Sequence, residues 1–145
     1  MAMEAMLKEA SKDPSRPFAI AIVDNSGELI LFAKQDGAQK FREEMAIKKA
    51  YTSAQFRRTT KAQQTEGFDP EGLNLGMFNL GTQFTTIPGG VPILKPGDET
   101  KKLGQYREAV GAIGTSGARG DEDERIAMIG AKVLSELIWG KRKHE

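Results

Sequence analysis

The residues best placed to do chemistry fall in four stretches. Pro88-Gly89-Gly90-Val91-Pro92 sets two prolines, which fix φ, around two glycines, which release it. Such a loop brings backbone within reach of a ligand, with the Gly89 and Gly90 amides offered to an oxyanion or carboxylate and Pro92 beside them. Its other reading is a tight crossover between strands. Gly111 to Gly117 carries glycine at every third position, but no Lys-Thr or Lys-Ser follows, so a phosphate-cradling Walker loop is not supported. Glycine at 111 and 114 is read as clearing space for a helix packed on a strand. The hydroxyls of Thr115 and Ser116 then stand at a strand end, where they can meet a ligand's polar edge. Asp121-Glu122-Asp123-Glu124 invites a carboxylate reading, with Glu124 as general acid or base and Asp123 as a ligand contact. The competing reading makes Asp121 an N-cap and Glu124 its capping-box partner, with the acids favoured by the helix dipole. Finally, Lys49 stands at the margin of a helix's inner face, where it could act as a base at a pocket rim. Thr52 and Phe56, four apart, share one side and could line a cavity, and Arg57 could meet a carboxylate.

Composition removes several other chemistries. The chain has 145 residues, the length of one domain, 1–145, with 39% apolar and 28% charged residues. It has no cysteine, which excludes disulfides, thiolate catalysis and zinc–thiolate sites and suits a reducing, cytoplasmic setting. Its one histidine, His144, is the second-last residue, where chains fray. A Ser-His-Asp triad or a two-histidine metal site therefore has no histidine to use, and no metal site is expected. The 21 basic and 20 acidic residues leave a net charge of +1, against a broad nucleic-acid surface. Lys141-Arg142-Lys143 reads as a solvated tail. No apolar run approaches the roughly 20 residues of a membrane span, and Met1-Ala2-Met3-Glu4 does not resemble a signal peptide.

The elements that must position these residues follow from periodicity and punctuation. Met3, Met6, Leu7 and Ala10 are spaced for a helix, which Ser11 to Pro17 ends with two prolines. Phe18 to Val23 and Glu28 to Lys34 form a hairpin about Asp24-Asn25-Ser26-Gly27. A helix from Lys40 to about Arg58 has Met45, Ala46, Ala50 and Ala54 for its inner face, and its alanines allow close packing. Gly67 to Gly81 is loop-rich, with a helical turn around Leu75 to Phe78. Gln83 to Ile87 reads as a short strand and Ala109 to Thr115 as another, separated by a flexible polar stretch after Pro96. A last helix from about Glu122 to Ile138 carries Ile126, Ile129, Val133, Leu134 and Leu137 at the 3.6 period. Grouped strands with flanking helices suggest an antiparallel sheet with helices on it.

The ordered set of these pieces resembles the GlcG/HbpS-like family of haem-degrading or haem-binding domains. It comprises Ala21-Ile22-Val23-Asp24 to Gly27; Asp36-Gly37-Ala38; Lys49-Ala50-Tyr51-Thr52 with Phe56 and Thr60; Gly89 to Ile93; Gly111 to Gly117; and Asp123-Glu124 with Ile126-Ala127 and Gly130. The resemblance implies a profilin-like α/β sandwich, a central antiparallel sheet with helices on its faces. It also implies a homo-oligomer and a small-molecule ligand, haem or another planar anion. Loop amides, Thr115, Ser116 and Lys49 or Arg57 would then meet the ligand's carboxylates. Haem bound to a body without histidine would draw on Thr115, Met77, Tyr51 or Tyr106 for iron. The alternative is an enzyme acting on a small oxygenated metabolite in the same cleft, with Lys49 or Glu124 as acid or base. Lys95 to Arg107 is longer than the family's usual hairpin and could lid the cleft or extend a subunit contact.

Overall fold

The structure is a computed structural model that describes residues 1–66, 83–102 and 105–140. Helix α1 spans Ala2–Ala10, strand β1 Ala19–Asp24, strand β2 Leu29–Lys34 and helix α2 Lys40–Phe56. Helix α3 spans Thr60–Glu66, strand β3 Gly90–Leu94, strand β4 Ala109–Ser116 and helix α4 Gly120–Trp139. The strands form one sheet in the order β2-β1-β4-β3, and every pairing is antiparallel. The hairpin expected from Phe18 to Lys34 is present. Its turn closes on the Asp24 carboxylate, which accepts the Ser26 and Glu28 amides at 2.9 and 3.0 Å, while Gly27 takes φ 91°.

Strand alternation divides β1 between two cores. Ile20 and Ile22 face α1 and α4, packing with Met6, Ile113 and Ile126. Each large side chain fully buried there contributes about 1.5–3 kcal/mol. Ala19, Ala21 and Val23 face α2 and meet Ala46, Ala50 and Ala54. The second core is made of small residues, so α2 lies almost against the sheet. A Cβ on Gly114 would sit 2.0 Å from the Ala46 carbonyl oxygen, so only glycine fits. Gly111 has a different reason: its Cβ would meet the Val23 carbonyl oxygen of the neighbouring strand at 2.1 Å, so it serves β1 rather than the helix.

Several boundaries depart from the sequence reading. Gln83 to Ile87 is irregular rather than a strand. The Pro88–Pro92 loop is half strand, because β3 begins at Gly90, which pairs with Gly114. Helix α2 stops at Phe56, where Arg57 turns left-handed at φ 54° and gives its N–H to the Ser53 carbonyl. The chain resumes as α3, which periodicity did not signal. Helix α4 starts two residues before the expected point, with Arg119 as N-cap, so Asp121 is not a cap. Asp121 is exposed and lies 3.5 Å from Lys61 of α3. The turn expected around Leu75 to Phe78, and Met77 with it, lies outside the described residues. No helix among the described residues is long and apolar enough to cross a membrane.

Candidate functional site

Lys49 projects from α2 toward the end of β4, where burial leaves it 1% exposed. Its Nζ donates to the Thr115 carbonyl at 2.8 Å and to Asp123 Oδ2 at 3.0 Å. Burial pulls the ammonium pKa below its ordinary value; the Asp123 charge and hydrogen bond oppose this, and Arg42 adds to it. The other Asp123 oxygen accepts the Gly117 and Ala118 amides at 3.2 and 2.8 Å, which ties the β4–α4 turn. The Thr115 hydroxyl donates to the Asp123 carbonyl. The Thr115 amide donates to the Gly89 carbonyl at 3.0 Å.

The two loop glycines belong to the same knot. Gly89 takes φ 133°, and a Cβ there would meet the Thr115 carbonyl oxygen and Lys49 Nζ at 2.7 and 2.8 Å. The Gly90 amide donates to Thr60 Oγ1 at 3.0 Å, so it is engaged inside the protein rather than offered to a ligand. Sequence order places Lys49, Gly89, Gly90, Thr115 and Asp123 far apart; the structure gathers them into one buried polar knot beside the start of α4. Pro88 packs against Gly120, so α4 does begin against the loop.

The remaining candidates lie outside the knot. Thr52 accepts the Thr85 amide at 3.0 Å and donates to the Lys48 carbonyl at 2.8 Å. Phe56 joins Phe84 and Tyr51 in an aromatic cluster, with ring centroids 5.8 and 5.3 Å apart. The Arg57 guanidinium stands 5.5 Å over the Tyr106 ring. Glu124 is half-buried on α4. Ser116 is buried, and its Oγ has no hydrogen-bond partner.

Two open cavities flank the knot. One, of about 550 Å³, runs along the β3 edge beside Pro96, Glu99 and Arg107 and against α4. Val91, Pro92, Leu94, Met128 and Ala131 give it an apolar wall, and its charged lining is Arg58, Arg107 and Lys132 with Glu99 and Glu136. Arg107 is positioned by the Arg57 and Lys101 carbonyls, to which its guanidinium donates. Of the residues singled out from sequence, only Pro92 lines it. The missed residues carried a faint signal: 128, 131, 132, 135 and 136 form a second helical stripe beside the core stripe of α4. The other cavity, of about 500 Å³, opens where α2 and α4 begin. Among the described residues no cluster of three or more His, Asp or Glu could hold a metal ion.

Comparison with known proteins agrees with this architecture. An uncharacterized 15.0 kDa protein from the dhaT-dhaS intergenic region of Citrobacter freundii is 26% identical over 122 residues, covering 83% of this chain and 78% of that one. A double mutant of Streptomyces reticuli HbpS superposes with a TM-score of 0.66 at 26% identity, covering 92% of this chain and 81% of that one. A PduOC structure solved as a haem complex superposes with a TM-score of 0.72 at 23% identity, covering 90% of this chain and 87% of that one, and this likeness speaks for the fold. Residues 1–132 match the family described as haem degrading protein HbpS-like. The fold and that match together mean that the chain belongs to the HbpS-like family.

Proposed function

We propose that the chain binds a small molecule, haem or another planar anion, in the cavity along the β3 edge. One observation carries the reading: the cavity sets an apolar wall of Val91, Pro92, Leu94, Met128 and Ala131 beside three cations, Arg58, Arg107 and Lys132, which outnumber its two carboxylates, Glu99 and Glu136. A flat apolar ring with peripheral carboxylates needs that combination, and the volume of about 550 Å³ falls within the roughly 300–1,000 Å³ of small-molecule sites. The family description points the same way. For haem, the wall offers one soft donor, the thioether of Met128, which is 52% exposed. Bound haem would supply the iron and its redox chemistry; the chain's own residues would clamp the ring and pair its carboxylates. The acid–base alternative would require Lys49 to leave two acceptors in a buried site, and the cavity reading requires no such move.

We further propose that the working form is a homo-oligomer. One of the two edge strands, β2, leaves Leu29, Ile30 and Leu31 at 49, 66 and 48% exposure, an apolar surface that a second copy would cover.

Titration with haemin tests the first reading. A saturable, stoichiometric shift of the Soret band is expected, weakened by Lys132→Glu and altered in position by Met128→Ala. A linear, non-saturating response, or saturation untouched by both substitutions, would overturn it.

A further inference from the structure

The three cations of the β3-edge cavity are held differently. Lys132 is exposed on α4, and an ammonium on a solvated stem brings charge without direction. Arg58 is 6% exposed in the link between α2 and α3. Arg107 is half-buried and fixed: its guanidinium donates to the Arg57 carbonyl at 3.2 Å and to the Lys101 carbonyl.

The first of those acceptors belongs to a helix end. Arg57 is the C-cap of α2, turned left-handed at φ 54°. Carbonyls there lack an intrahelical donor, and the dipole of this 17-residue helix is negative at that end. Helix α2 therefore draws the guanidinium to its place. Both acceptors are neutral, so the charge of Arg107 is left uncompensated. Glu99 and Glu136 share the cavity wall, but among the described residues no carboxylate forms an ion pair with Arg107. The acids nearest in sequence are engaged elsewhere: Glu108 lies 3.8 Å from Lys95, and Asp98 3.3 Å from Lys101.

Asp98 grips the chain on both sides of Arg107. It is 7% exposed and does not line the cavity. Its Oδ2 accepts the Glu108 amide at 2.7 Å, one residue after Arg107. Its Oδ1 pairs with Lys101 Nζ, which also donates to the Tyr106 carbonyl at 3.0 Å, one residue before Arg107. Lys101 in turn supplies the carbonyl that accepts from the guanidinium. One buried carboxylate thus fixes the backbone on either side of Arg107 and one of the two acceptors that orient its side chain.

We propose that Arg107 is the residue by which this cavity selects a ligand bearing a free carboxylate, and that Asp98 is its positioning residue. The proposal rests on the planar-ligand reading of the cavity. A guanidinium already held in place loses little further freedom on binding, and its remaining N–H groups donate to the carboxylate.

Titration of the full chain with haemin and with haemin dimethyl ester, which keeps the ring and iron but has no free carboxylate, tests this through the Soret band. The wild type should prefer haemin by about tenfold or more, the usual effect of a hydrogen bond to a charged group. Arg107→Gln should remove most of that preference by weakening haemin, with ester binding unchanged as the control for an intact site. Arg107→Lys, which keeps the charge but not the planar fork, should retain only part of it. Lys132→Gln should remove less than Arg107→Gln. Asp98→Ala should weaken haemin and spare the ester, and should add nothing when combined with Arg107→Gln. Failure of haemin to saturate would overturn the planar-ligand reading and this proposal with it. Equal affinity of the wild type for haemin and ester, or a preference that survives Arg107→Gln, would overturn the proposal alone. Asp98→Ala that weakens both probes equally, or that further weakens Arg107→Gln, would overturn the positioning role.

Discussion

The ammonium of Lys49 lies 3.0 Å from Asp123 Oδ2, with the two side chains 1% and 3% exposed. This contact joins α2, on one face of the sheet, to α4, on the other, around the end of β4. Each charge is costly to bury alone, so each residue is present because the other is. Asp123 also holds the amides of the β4–α4 turn, which forms one wall of the second cavity.

Removing one partner should therefore be severe. Lys49→Met is expected to cost about 3–5 kcal/mol, because it strands a buried carboxylate. Lys49→Met combined with Asp123→Leu should cost less than the sum of the two single changes. Urea unfolding of the four proteins in the cycle measures this, and additive losses would show that the pair is not coupled.

Gly90 should tolerate no side chain. A Cβ there would lie 2.4 Å from the Lys49 carbonyl oxygen and 2.7 Å from Ser53 Oγ. Gly90→Ala should lower stability by roughly 1–3 kcal/mol or more through overpacking. Gly97→Ala is the control: it has open space but φ 99°, so it should show only the backbone cost of about 1 kcal/mol. Thermal melts that rank the two the other way would contradict this.

The contacts that Asp98 makes with Glu108 and Lys101 should loosen in acid. The Asp98 carboxylate accepts the Glu108 amide at 2.7 Å and sits 3.3 Å from Lys101. The Glu108 amide foremost, with Lys101, holds its pKa below the ordinary 3.8. A carboxyl depressed in the folded state stabilises fully above the unfolded value and loses that contribution as pH falls through the folded one. Hydrogen exchange at the Glu108 amide should accelerate, relative to a neutral-pH reference corrected for intrinsic rate, only below pH 3.8. Asp98→Asn should abolish that acid-dependent step.

Self-association through β2 has a simple test. Light scattering should give a mass that is a multiple of the 15.8 kDa chain, and Ile30→Lys should shift it toward the monomer without unfolding. A wild-type monomer at micromolar concentration would refute it.

Much of the frame was legible in the sequence. The hairpin of β1 and β2 followed from alternation about a turn that ends in Gly27. Helix α4 followed from apolar residues every third or fourth position. The close seating of α2 followed from Ala46, Ala50 and Ala54 opposite a glycine-bearing strand. These features are local: one or two turns of chain contain both the pattern and its cause. The site was less legible. Lys49 and Asp123 are 74 residues apart, and nothing near either one announces the partner. Gly90 read as an exposed loop amide, yet β4 pairs with it and Thr60 takes its N–H. Asp121 had the pattern of a cap, but the turn held by Asp123 let the helix begin at Gly120. Arg58, Arg107 and Lys132 share a cavity only because the link between α2 and α3, the residue before β4's approach at Glu108, and α4 come together along the β3 edge. Backbone preference and hydrophobic period act over a few residues and can be read in order along the chain. Ion pairing, desolvation and cavity shape depend on which elements lie side by side, and only the folded arrangement decides that.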